Sequence, residues 1–215
     1  MIDQRYKDVY ITLLSILNKI NFWRYKFISV PLCYRKSSIH LHLGCGQKYQ
    51  EGFINIDINI FRKKEICLDV SKGLPFRENS VDSIYSHSLF EHLYPKELLY
   101  LLKECYRVLR PASGMRVAVP DMEAAINGYA IGDLSWVSDF PRRFTSLGGK
   151  FYNFIFCDGQ HKMCFDFSLL EEILGQAGFE DIVKMEAQKS RIYVNGQIKE
   201  KASDPAHIYV ECFKK

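Results

Sequence analysis

The chain has 215 residues, 47% of them hydrophobic and 25% charged, with a formal net charge of +4. That length suits one full core plus an appendage, the composition is that of an ordinary globular protein, and so modest a charge does not call for nucleic acid as a partner. The seven cysteines (33, 45, 67, 105, 157, 164 and 212) form no CxxC pair, and no Cys/His cluster has zinc-ligand spacing. Reduced thiols in a cytosol, and no metal, are therefore expected.

Residues 1–37 stand apart. Val9, Tyr10, Leu13, Leu14, Ile16, Leu17 and Ile20 recur at helical spacing, followed by Phe22, Trp23, Tyr25 and Phe27. Seven Lys and Arg against Asp3 and Asp8 give this segment more positive charge than the whole chain carries. A basic amphipathic helix packed on the following domain, or on a dimer partner, is the favoured reading. An interfacial helix on an anionic membrane is the alternative. The apolar run is too short to span a bilayer, and the early acids with no small-residue cleavage site argue against a signal peptide.

Residues 39–58 are where chemistry first shows. Alternating Ile39, Leu41 and Leu43 predict a strand, Gly44-Cys45-Gly46 a tight turn, and residues 53–56 a second strand ending on Asp57. Strand, glycine turn, strand and acid is the layout of a nucleotide-type cofactor site, with the carboxylate able to accept ribose hydroxyls. The NAD fingerprint fails: Tyr49 stands at the third glycine, and Asp57 follows too soon for the usual first helix. No Gly-Lys-Ser/Thr completes a P-loop.

Further along, 66–70 predicts a third strand carrying Asp69, and 81–86 a fourth. Pro95 opens a helix whose stripe is Leu98, Leu101, Leu102, Cys105, Val108 and Leu109, stopped at Pro111. Residues 115–119 read as a buried fifth strand. Residues 122–165, irregular and aromatic-rich, suit an insertion covering the active edge. Ser168 with Glu171 predicts a capping box for a helix ending near Gly178. Residues 182–185 and 207–213 would be the last strands, joined by a polar, mobile loop. The alternation argues for a doubly wound α/β sandwich over 38–215.

These blocks resemble the class I S-adenosylmethionine (SAM)-dependent methyltransferases. LHLGCGQK is similar to the family's first motif, with His42 at its acid and Lys48 at its third glycine; CLDVSKGLPFRENSVDSIYSHSLFEHL and RVLRPASGMRVAVPD resemble later blocks. In detail the chain resembles a group of small predicted methyltransferases, some linked to bacterial surface-polysaccharide synthesis. The resemblance implies a Rossmann-like, seven-stranded, mostly parallel sheet whose last strand is antiparallel, with SAM as cofactor. It further implies that Leu43, Gly44, Cys45 and Gly46 pass under the methionine and ribose. Asp57 would take the ribose hydroxyls with Ile58 on adenine, Asp69 and Val70 would meet the adenine edge, and Ser86 and His87 would border methionine and acceptor. His42, inside the motif strand, reads as a packed, hydrogen-bonded imidazole.

An alcohol acceptor must lose a proton, for which His or a carboxylate is the usual agent. The candidates are His87 first, His161 second and Asp121 third; Glu91-His92 is also in range but reads as shaping the helix entry. Tyr129, Trp136, Phe140, Phe144, Tyr152 and Phe154 could build an acceptor pocket, with about half of them expected in the core. The reading is methyl transfer to a small-molecule or sugar-containing acceptor, at oxygen, in the cytoplasm or against the inner face of its membrane. A non-catalytic scaffold of the same fold within a polysaccharide-synthesis assembly is the alternative, and a nicotinamide-dependent oxidoreductase ranks below both.

Overall fold

The computed structural model describes residues 21–25, 27, 38–193, 197–201 and 204–215. Most of the 1–37 segment therefore lies outside the described residues. Of the part described, 21–24 are helical, and Phe22 and Tyr25 pack against the core while Trp23 and Phe27 are exposed. The Cys67 amide donates to the Tyr25 hydroxyl (3.1 Å). No helix among the described residues is long and apolar enough to cross a membrane.

The strands are β1 His40–Leu43, β2 Ile54–Asp57, β3 Ile66–Cys67, β4 Val81–His87, β5 Leu109–Pro120, β6 Glu180–Met185 and β7 His207–Phe213. They form one seven-stranded sheet in the order β3-β2-β1-β4-β5-β7-β6. β1 to β5 run parallel, and β7 is antiparallel to both β5 and β6. This is the doubly wound, mostly parallel sheet expected. Leu41, Leu43, Ile54, Ile56, Ile84, Val117, Val119 and Val210 make its buried centre. The helices are α1 Pro95–Val108, α2 Met122–Ile131, α3 Leu147–Phe156 and α4 Phe167–Gln176.

Several local expectations are corrected. β3 is only two residues long, because Asp69 turns away to cap the short 3-10 turn Val70–Lys72, its carboxylate accepting from Ser71 N. β5 starts at Leu109 and runs through Pro111, earlier than expected. The 122–165 segment is not irregular. Asp121 caps α2 and Gly132, at φ +79°, closes it, while Ser146 caps α3. The cap of α4 is Asp166, which accepts from Leu169 N (2.8 Å) and from the Ser168 hydroxyl (2.9 Å), so the Ser168–Glu171 box is not used.

Two features position the functional edge. Parallel strands usually need a crossover of a dozen or more residues, commonly with a helix; here β1 reaches β2 through residues 44–53 without one. Asn55 replaces the helix as organiser. Its side chain accepts from Gln50 N (2.9 Å) and donates to Gln50 O (2.9 Å) and Glu65 Oε2 (3.0 Å). His42 Nδ1 lies 3.0 Å from Asn55 Oδ1, which makes His42 the packed imidazole expected.

The second feature is Arg116 on β5, whose side chain is fully buried. Its guanidinium donates twice to Glu200 (2.9 and 2.8 Å), to Glu211 Oε1 (3.0 Å), and to the carbonyls of Lys189 (2.8 Å) and Glu186 (3.0 Å). This network clamps the described parts of the β6–β7 connection over the sheet edge.

Candidate active site

The glycine turn sits at the end of β1. Gly44 (φ +64°) and Gly46 (φ +49°) are both left-handed, which favours glycine. A Cβ on Gly44 would lie 2.9 Å from Leu89 Cδ1, whereas one on Gly46 would meet only Gly44 O, at 4.0 Å. Asp57 ends β2 and accepts from Gly46 N (2.8 Å) and Asn59 N (2.7 Å), so it braces the turn it follows. Each carboxylate oxygen keeps a second lone pair for a hydroxyl. Ser86 pairs in register with Leu43, and its buried hydroxyl has no hydrogen-bond partner among the described residues. An open glycine turn, a strand-end carboxylate and an orphaned hydroxyl fit a SAM-like ligand. Cys45 is inert: burial pushes its thiol up to about 12. Val70 is buried, and Ile58 and Asp69 are partly exposed.

Beside this turn opens a cavity of about 870 Å³. Its walls come from the crossover (Gln47, Lys48), the end of β4 (His87, Ser88), the turn Phe90–His92, the 122–165 insertion and the start of β7. Several residues of the insertion, from Trp136 to His161, line it. Trp136, Phe140 and Phe154 line the cavity, whereas Tyr129 packs at a tilt on Phe151, and Phe144 meets Tyr152 edge-on, outside its lining.

Four polar side chains form a connected row on the cavity wall. His87 Nδ1 lies 2.9 Å from Ser88 Oγ, which lies 3.0 Å from His207 Nε2; His207 Nδ1 is in turn 3.0 Å from Asp204 Oδ2. Tyr209 donates to the same Asp204 oxygen (3.1 Å). Lys48 Nζ approaches His87 at 3.1 Å. Burial, with His207 and Lys48 alongside, lowers the His87 imidazole to about 3, so it is neutral at pH 7. Burial alone would raise the Asp204 carboxyl, but His207, Tyr209 and Ala206 N hold it well below the usual carboxylate range. Burial also lowers the Lys48 ammonium.

The structure thus brings His87 and His161 to one cavity but not Asp121. The Asp121 carboxylate is used as the cap of α2, accepting from Ala124 N (3.1 Å), and it is absent from the lining. Sequence reasoning missed Asp204 and His207. The signal was topological: because β7 is antiparallel, its first residue pairs with the last of β5 (Pro120 with His207), which carries the start of β7 to the active edge.

Residues 46–115 match the methyltransferase domain family. No curated protein matches the chain. Among solved structures, a SAM-dependent methyltransferase from Archaeoglobus fulgidus is 17% identical with a TM-score of 0.52, over 92% of this chain and 94% of that one. A SAM-dependent methyltransferase from Thermotoga maritima, described as a possible histamine N-methyltransferase, is 16% identical with a TM-score of 0.54, over 98% and 97%. One from Methanosarcina mazei is 15% identical with a TM-score of 0.50, over 86% and 96%. Residues 46–115 thus resemble a methyltransferase domain, and the chain has the fold that these SAM-dependent methyltransferases share.

Proposed function

We propose that the chain is a SAM-dependent methyltransferase that methylates a hydroxyl oxygen of a small, sugar-containing acceptor held in the cavity between His87, His207 and the 122–165 insertion. The row from His87 through Ser88 and His207 to Asp204 carries this reading. SAM supplies an electrophilic methyl group on a sulfonium. What remains for the chain is to hold the acceptor, exclude water and accept a proton. An amine needs no base to become nucleophilic once it is neutral, whereas an alcohol gains from one. The imidazole of His207, backed by Asp204, is that base, and Ser88 couples it to His87. The cavity volume is in the range of small-ligand sites. Trp136 and Phe154, packed edge to face, offer apolar surface for a sugar ring.

The cofactor end is held by this chain's own groups. The Gly44–Gly46 turn, Asp57 with Ile58, Asp69 with Val70, and Ser86 would bind SAM, leaving His87 on the side facing the acceptor. The test measures S-adenosylhomocysteine released on incubation with SAM and either hydroxyl acceptors of the nucleotide-sugar and lipid-linked-sugar classes or simple amines. Product with a hydroxyl acceptor, and a kcat at least about 100-fold lower in His207→Gln with S-adenosylhomocysteine binding retained, is the expected result. Turnover with amines alone, unaffected by His207→Gln, would replace the oxygen reading. No turnover would leave a cofactor-binding scaffold.

A further inference from the structure

We propose that Glu91, His92 and His161 form a binding site for a divalent transition-metal ion on the wall of the same cavity. One ligand atom from each of the three lies within 4.8 Å of the others, and all three line the cavity. Two imidazoles and one carboxylate, with the remaining positions reachable from a cavity, are a donor set that suits zinc, iron, cobalt or manganese.

The carboxylate is the telling member. Glu91 is only 1% exposed, and its Oε2 is buried with no hydrogen-bond partner among the described residues. A buried acid with an orphaned oxygen is costly and demands an explanation. A cation supplies one.

Backbone groups hold the ligands in place. His92 Nδ1 faces the Gln160 carbonyl (3.2 Å), and His161 Nδ1 faces the Ile155 carbonyl (3.1 Å). Each contact places the proton on Nδ1 and leaves Nε2 as the lone-pair nitrogen, the arrangement in which metal-ligating histidines are usually held. The His92 Nε2 atom lies 4.0 Å from Glu91 Oε1. The amides of Lys162 (2.7 Å) and Met163 (3.3 Å) both donate to the Glu91 carbonyl, docking the His161 segment on the Phe90–His92 turn.

A second group, His87, Asp204 and His207, also has ligand atoms within reach of one another. It is the weaker site. The Ser88 hydroxyl bridges its two imidazoles, and the Lys48 ammonium already stands 3.1 Å from His87. No sequence spacing announced the Glu91 group, because its third ligand comes from the far end of the insertion.

The metal site stands on these residues alone. Its use rests on the proposed oxygen methylation, in which an ion here would bind the acceptor's hydroxyls.

The experiment titrates the chelator-stripped, tag-free full chain with Co²⁺, following visible absorption and stoichiometry, and titrates each variant with S-adenosylhomocysteine in parallel. One equivalent of Co²⁺ is expected, bound at least tenfold more weakly by Glu91→Gln and by His161→Gln. Both variants should keep wild-type thermal unfolding and S-adenosylhomocysteine affinity. Lack of Co²⁺ uptake by a wild-type chain that binds S-adenosylhomocysteine overturns the site. So does uptake that survives both substitutions, or uptake lost in His87→Gln but not in Glu91→Gln. Uptake lost in Glu91→Gln, in a chain that never binds S-adenosylhomocysteine, upholds the site and removes only its role in methyl transfer.

Discussion

At the scale of single residues, the same residue type has opposite consequences in different places. Gly44 and Gly132 are both left-handed, but a Cβ on Gly44 meets Leu89 while one on Gly132 meets nothing within 4 Å. Gly132→Ala should therefore cost only the backbone strain, about 1 kcal/mol of stability, and leave S-adenosylhomocysteine binding alone. Gly44→Ala should weaken that binding about tenfold, roughly 1.4 kcal/mol, because Leu89 must shift beside the turn. Calorimetric titration of both variants checks the contrast, and equal effects on binding would refute it.

His42 makes a second residue-scale prediction. Burial is the main cause holding its imidazole near 4 against an ordinary 6.5, with Asn55 and Asp57 opposing and Lys48 assisting. A folded-state pKa below the unfolded one means stability that is present above pH 6.5 and lost as the pH falls toward 4. The loss attributable to His42 is of order 3 kcal/mol, and His42→Gln should flatten the acid limb of urea unfolding in that window. An unchanged limb would mean that the imidazole charges without cost.

At the scale of elements, the chain's unusual parts are its connections. The helix-free passage from β1 to β2 was legible from the short distance between Gly46 and Asp57, but what replaces the helix was not. Asn55 reads as an ordinary strand residue until its amide is seen holding Gln50, Glu65 and His42 together. The Arg116 cluster was invisible for the same reason. Its partners lie 84 and 95 residues away, and a polar loop such as 186–206 reads as solvent-exposed when no pairing is known. Removing the guanidinium would leave two buried carboxylates uncompensated, so Arg116→Leu should cost about 3–5 kcal/mol in urea unfolding. A loss below about 1 kcal/mol would show that the carboxylates find water instead. α2 escaped prediction because it lacks clear apolar periodicity, and α3 because Gly148 and Gly149, poor helix formers, open a segment whose apolar stripe is Leu147, Phe151, Phe154 and Ile155.

At the scale of the whole molecule, periodicity together with proline and capping signals was enough for the alternating strands and for α1 and α4. The glycine turn and Asp57, both local in sequence, stand in the structure as a turn braced by a carboxylate. The cavity proposed for the acceptor was not legible. Its lining comes from separated stretches, and two of its members, Asp204 and His207, reach it only because the last strand runs backwards. Burial energetics explain why Asp121 was overvalued: an acid at a strand end looks catalytic until a helix start nearby claims its oxygen.

Everything proposed for the cavity depends on the turn at Gly44–Gly46 and the carboxylate of Asp57 binding SAM. Calorimetric titration of the wild-type chain and of Asp57→Ala with S-adenosylhomocysteine, with NADH as the competing cofactor class, tests it most directly. Micromolar binding by the wild type, about −8 kcal/mol, with loss in Asp57→Ala and no binding of NADH, is the predicted result. A folded wild-type chain that binds no S-adenosylhomocysteine, or an Asp57→Ala variant that binds it equally well, would contradict it.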